Sequence, residues 1–156
     1  MKRIVSFLLA VIIILFSFSS TCIASSNIAY SSNEDVIYFG DGSYITIDVE
    51  QDFYMRATNT ISGNKSISYY NADDELKWTA VLNATFSYNG SVSSCTSANI
   101  SYTIHDSSWR ITSATATKSS NKATGNIVSK YYVLGLPVKT IEESFTITCS
   151  ANGTLS

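Results

Sequence analysis

The sequence is short of the residues from which reactive centres are usually built. It has one histidine, His105, among 156 residues, and no Cys-x-x-Cys pair. A zinc site or a redox-active cysteine pair therefore has no local signature. No Gly-x-Ser-x-Gly nucleophile elbow occurs. His105 and Asp106 are adjacent, and neighbours in sequence cannot easily both serve a Ser-His-Asp triad, so they read as a solvated turn. Lys and Arg total 10 against 12 Asp and Glu, and they form no cluster. That excludes nucleic acid as a partner and argues against recognition of an anionic membrane, since both rely on grouped cations. No amphipathic helix and no internal repeat is visible.

What is present begins with Met1-Lys2-Arg3 and an apolar run from Ile4 to Phe18, followed by small residues up to Ala24. A basic start, an apolar middle and a small residue before a cut describe a secretory signal peptide over residues 1–24. The rival is an uncleaved anchor, but the run is short of the ~20 apolar residues a spanning helix needs. The expectation is a secreted, extracellular protein with no stable membrane span once the signal is gone. Residues 25–34 are polar and aperiodic and read as a flexible leader. Residues 35–156 suit a single domain. Two cysteines remain there, Cys95 and Cys149. In an exported chain the expected state of such a pair is a disulfide.

From residue 35 onward the pattern is one of short strands. Trp78, Ala80, Leu82, Ala84, Phe86 and Tyr88 alternate with polar neighbours, as do Ala98, Ile100, Tyr102 and Ile104. Alternation with period two predicts strands with one buried and one wet face. Asn89-Gly90 between those runs predicts a hairpin turn, with a longer loop or bulge before Cys95. Further strands are predicted over Val36–Phe39, Ser43–Val49, Ser66–Tyr70, Trp109–Thr117, Ala123–Val133 and Val138–Cys149. Ile141, Phe145, Ile147 and Cys149 share one face of the last. Gly40-Asp41-Gly42, Ser62-Gly63-Asn64 and Asn71–Asp74 read as turns. Phe53-Tyr54-Met55 has no clear period. More than a third of residues 25–156 are Ser, Thr or Asn, which suits strands with wet outer faces and polar turns. The fold class implied is all-β, a single antiparallel β-sandwich, immunoglobulin-like or related.

Asp41-Gly42-Ser43-Tyr44, Tyr69-Tyr70-Asn71-Ala72-Asp73 followed by Trp78, Phe86–Gly90, Ser107-Ser108-Trp109 and the ending Thr148–Ser156 resemble a group of small exported proteins from Gram-positive (clostridial) gut bacteria. The likeness spans most of residues 25–156. It implies export and a shared β fold, and it brings no activity and no catalytic residues.

The remaining signals concern surfaces. Ten Tyr and two Trp are many for one domain. The pairs Tyr69-Tyr70 and Tyr131-Tyr132 must each send one ring to either face of a strand, so one ring of each pair is expected to face outward. Outward rings would form a binding surface for a glycan or a protein; otherwise they pair across the sheet. Asp48, Glu50 and Asp52 alternate and Asp73-Asp74-Glu75 are consecutive, but neither set matches a calcium loop, and no metal or cofactor is expected. Leu136-Pro137-Val138-Lys139-Thr140 has the wrong spacing for a sortase signal. The leading expectation is a non-enzymatic surface-contact module. A hydrolase using His105 or the Asp48–Asp52 carboxylates is the second reading. A toxin or bacteriocin is the third, in which Arg110–Lys130 inserts as a hairpin with Ala114, Ala116 and Ile127 toward lipid.

Overall fold

A computed structural model describes residues 35–52 and 59–156. The segments read as signal peptide and leader, and Phe53-Tyr54-Met55, lie outside the described residues. Eight strands follow one another: β1 (Asp35–Tyr38), β2 (Tyr44–Asp52), β3 (Thr60–Tyr70), β4 (Leu76–Tyr88), β5 (Ser93–Ile104), β6 (Trp109–Ser119), β7 (Lys122–Val133) and β8 (Leu136–Thr148). They form a five-stranded sheet in the order β1-β2-β3-β4-β5 and a three-stranded sheet in the order β6-β7-β8. Every neighbouring pair is antiparallel. The expected all-β sandwich is what the chain forms. Its connectivity is simpler than that of an immunoglobulin domain, whose strands alternate between sheets: here each sheet is a meander, and the chain changes sheets once, between β5 and β6.

The core lies where alternation placed it. Trp78, Ala80, Leu82, Ala84 and Phe86 of β4 are buried, and Ala123, Ile127, Ile141, Phe145 and Ile147 face them from the smaller sheet. Four rings run in sequence through this interior. Tyr69 stacks on Trp78 with centroids 5.7 Å apart, Tyr69 meets Trp109 at 4.8 Å, and Trp109 meets Tyr131 at 5.4 Å. Large tilted or offset rings bury much area and fix their mutual geometry, so they hold one sheet to the other. Gly125 allows close approach at another point: a Cβ there would lie 3.1 Å from the Phe145 ring and 3.3 Å from Ile100 Cδ1.

Two local expectations fail for tertiary reasons. Ser62-Gly63-Asn64 is inside β3, because Gly63 is paired with Gln51 on one side and Ala84 on the other. Two continuous ladders outweigh a local turn preference. Tyr102 and Ile104 share the inward parity of β5 but are exposed, since β5 is an edge strand and the narrower sheet does not cover its end.

The expected disulfide is absent. Cys95 and Cys149 are both buried free thiols. Each Sγ donates to a nearby backbone carbonyl, Cys95 to Ser97 and Cys149 to Ser150, both at 3.3 Å. Burial pushes both thiols up, and a charge on Cys95 would push Cys149 further. Backbone hydrogen bonds join this end of the molecule instead. Cys95 N–H donates to Ser120 O at 2.7 Å and Cys149 N–H to Asn121 O at 2.9 Å. The β6–β7 turn thus receives both cysteine backbones without a covalent link.

Cys95→Ala and Cys149→Ala should each cost about 1–2 kcal/mol in urea unfolding. Loss of a cross-link closing a loop of this length would cost about 4 kcal/mol. Alkylation in denaturant without reductant should label both thiols. Ser129 is buried and its Oγ has no partner among the described residues. Ser129→Ala should therefore stabilise the fold by about 1 kcal/mol in the same measurement.

Candidate functional site

One ring of each pair turns outward, as expected, but the sandwich sends the two outward rings of Tyr69-Tyr70 and Tyr131-Tyr132 to different faces. Tyr69 is 1% exposed and belongs to the core. Tyr131 packs against the core beside Trp109. Their neighbours in sequence turn outward, as strand parity requires. Tyr70 lies on the outer face of the five-stranded sheet, and Tyr132 lies on the outer face of the three-stranded sheet beneath the Arg110 guanidinium, 4.5 Å from the ring centre. The two outer faces look in opposite directions, so Tyr70 and Tyr132 cannot form one patch.

Tyr70 has other partners. Register aligns Tyr38 of β1 with Tyr44 of β2, and Tyr44 with Tyr70 of β3. The Tyr44 and Tyr70 rings are stacked, 4.9 Å apart and 9° from parallel. Tyr38 meets Tyr44 at 5.5 Å with a 43° tilt. A row of three tyrosines therefore crosses three strands. Tyr44 and Tyr70 cover each other's faces. Tyr38 stands on β1, the edge strand among the described residues, and is 73% exposed. Tyr38 and Tyr44 were missed as site residues. The signal that finds them is the Gly40-Asp41-Gly42 hairpin turn, which forces the tyrosines flanking it to oppose one another.

The row is bounded by polar groups. Burial and hydrogen bonding to the Asp74 carboxylate hold the Tyr44 phenol above its ordinary range. Thr46, Ser68 and Thr79 continue the outer face across β2, β3 and β4, with Ser68 Oγ and Thr79 Oγ1 3.1 Å apart. The arrangement offers one open aromatic face, two phenol edges, a carboxylate and hydroxyls on a nearly flat sheet.

A lysine from the opposite sheet fixes the turn that carries Tyr38 and Tyr44. Lys139 Nζ, on β8, donates to Asp41 Oδ2, to Ser43 Oγ at 3.0 Å and to Tyr69 Oη at 2.7 Å. It also lies over the Tyr69 ring at 5.2 Å and near Phe39 at 5.7 Å. The Lys139 hydrogen bond, helped by Ser43, holds the Asp41 carboxyl well below the usual carboxylate range. Although burial opposes its charge, Lys139 is held above its ordinary value by Asp41 and Tyr69.

The other sequence candidates do not assemble. His105 is exposed. The neighbouring Asp106 carboxylate is taken up by Lys77 Nζ at 3.1 Å and by Ser108 N–H at 2.9 Å. Glu50 accepts from Asn64 Nδ2 at 3.3 Å, and Glu75 accepts from Lys77 Nζ at 2.8 Å and Asn71 Nδ2 at 2.9 Å. The Asp52 side chain lies outside what is described. Among the described residues no three His, Cys, Asp or Glu side chains converge as metal ligands would. Ile127 is buried and Ala116 packs on the core. The set expected to face lipid in an inserting Arg110–Lys130 hairpin faces the protein interior instead.

No family model, curated protein or solved structure matches the chain. The site is thus defined by its geometry alone.

Lys139→Met keeps most of the stem but strands the buried Tyr69 hydroxyl, and should destabilise by about 1–3 kcal/mol. The pH dependence has a definite sign. Asp41 is depressed in the folded state, so its contribution is present above the unfolded carboxylate value of about 4 and fades as pH falls below it. Lys139 is raised, so its contribution persists up to the ordinary lysine value of about 10.4 and fades above it. Thermal melts across pH should show a shallower acid slope in Lys139→Met than in wild type.

Proposed function

We propose that this is an exported, non-enzymatic β-sandwich that acts by surface contact, and that the Tyr38–Tyr44–Tyr70 row is where it holds a carbohydrate. The observation that carries the reading is the uncovered face of Tyr38, next to two phenol groups and Asp74. A sugar ring has an apolar face suited to stacking on an aromatic ring and a rim of hydroxyls suited to phenols and carboxylates. A flat sheet face with shallow relief suits an extended polymer better than a small molecule, which needs a concave pocket. The signal-like residues 1–24 support export. The exposure of His105 and the engagement of Asp106 by Lys77 and Ser108 support contact over catalysis.

Screening the protein on a glycan array, followed by titration of the best ligand, tests this. Tyr38→Ala and Tyr44→Ala should each weaken binding about tenfold, the loss expected for one stacking contact. Tyr132→Ala, on the opposite face, should leave it unchanged. Absence of any glycan binding, or full binding by Tyr38→Ala, overturns the assignment.

A further inference from the structure

The β7–β8 turn combines two features that a sequence selected only for folding would avoid. Val133 and Leu136 pair across it, leaving Leu134 and Gly135 as a two-residue turn with φ of 51° and 81°. Positive φ at both positions is the signature of a type I′ turn, whose first position favours Asn, Asp or Gly. Leucine there is strained by its Cβ. It is also 100% exposed, and Leu136 and Val138 beside it are 68% and 58% exposed. An asparagine would relieve both the strain and the exposure. Apolar side chains gathered on a tip in this way mark a contact surface.

The flanks of the hairpin say what kind of contact. Below the tip, on the outer face of its sheet, lie Tyr132, Arg110 and Lys130. Arg110 pairs with Lys130 in the β6–β7 register and covers the Tyr132 ring. Neither cation is in an ion pair with the described residues. Glu142 on that face lies two residue pairs further from the tip than Lys130. The order outward is therefore cations, tyrosine, aliphatic tip. The tip extends two residues beyond Tyr132, about 7 Å at strand rise. Interfacial protein elements bury about 5–10 Å into a bilayer, with aromatic rings at the interface and Lys or Arg at the headgroups. The shape points the same way, because a convex knob exposed on all sides is covered by a fluid phase without a matching pocket.

We infer that the Val133–Val138 hairpin tip is a membrane-contact element, placing its Leu and Val side chains among the lipid chains of an anionic bilayer surface, with Tyr132 at the interface and Arg110 and Lys130 on the phosphates. The acidic turn Asp73–Glu75 belongs to the other sheet, so the molecule meets the surface tilted toward β6–β8. This contact is separate from the tyrosine row and stands without it.

Hydrogen exchange of the full chain, with and without vesicles of equal parts phosphatidylglycerol and phosphatidylcholine, tests the inference locally. Amides of residues 132–136 and 138 should exchange at least about fivefold more slowly with vesicles, while those of 71–75 are unaffected. Leu134→Asn should melt no lower than wild type yet need about tenfold more lipid for the same protection. The double variant Arg110→Gln, Lys130→Gln should also need about tenfold more. Unchanged exchange at 132–136 and 138, or wild-type protection in Leu134→Asn, overturns the inference and leaves the tip to a pocket on another protein.

Discussion

The molecule depends on a stack of aromatic rings that passes from one sheet to the other. The two sheets are separate meanders, and the chain crosses between them once. What holds them face to face is the interior. Trp78 and Tyr69 come from the larger sheet, Trp109 and Tyr131 from the smaller, and the four rings touch in sequence. Tyr69 has a second duty. Its ring is core, but its hydroxyl accepts from Lys139, which also grips Asp41 and Ser43. The packing of the core is thereby transmitted to the β1–β2 turn and to the tyrosines on either side of it.

The unequal widths of the sheets decide what is exposed. Three strands cannot cover five. Among the described residues no strand lies beyond β1, and all four of its residues are exposed. An uncovered edge strand is a hazard in a soluble protein. Here it carries Asp35 and is short. It also ends a row of rings, which is why Tyr38 keeps an open face while Tyr44 and Tyr70 cover one another. The open face of Tyr38 follows from its place on an edge strand, on the outer face that the smaller sheet does not meet.

Antiparallel connection places the β1–β2, β3–β4, β5–β6 and β7–β8 turns at one end of the sandwich. Both proposed contacts lie toward that end, on opposite sheets. The other end is knit together by hydrogen bonds. The β6–β7 turn receives Cys95 and Cys149, Gly90 N–H donates to Ala151 O at 2.9 Å, and Gly153 approaches Tyr88 so closely that a Cβ there would lie 2.6 Å from its ring. Residues 149–155 are thus bonded into one end, and the turns that carry both proposed contacts lie at the other. The Asp106 and Glu75 carboxylates are both engaged by Lys77 at the turn end of the larger sheet.

Much of this was legible in the sequence, and the limit is physical. Period-two alternation is a property of the strand backbone, so it located the strands, the inward residues of β4 and β8, and the rule that paired tyrosines split between faces. Local order does not encode which strands become neighbours. That is why alternation sends Tyr70 and Tyr132 outward without placing them on opposite sheets, and why it brings neither Tyr38 to Tyr44 and Tyr70 nor Arg110 to Lys130. It is also why two cysteines suggested a disulfide that the backbone bonds to the β6–β7 turn make unnecessary. Alternation fixes which way a side chain points, whereas register, sheet width and the β5–β6 crossover fix what it points at, and those arise only when the two sheets close over a shared core.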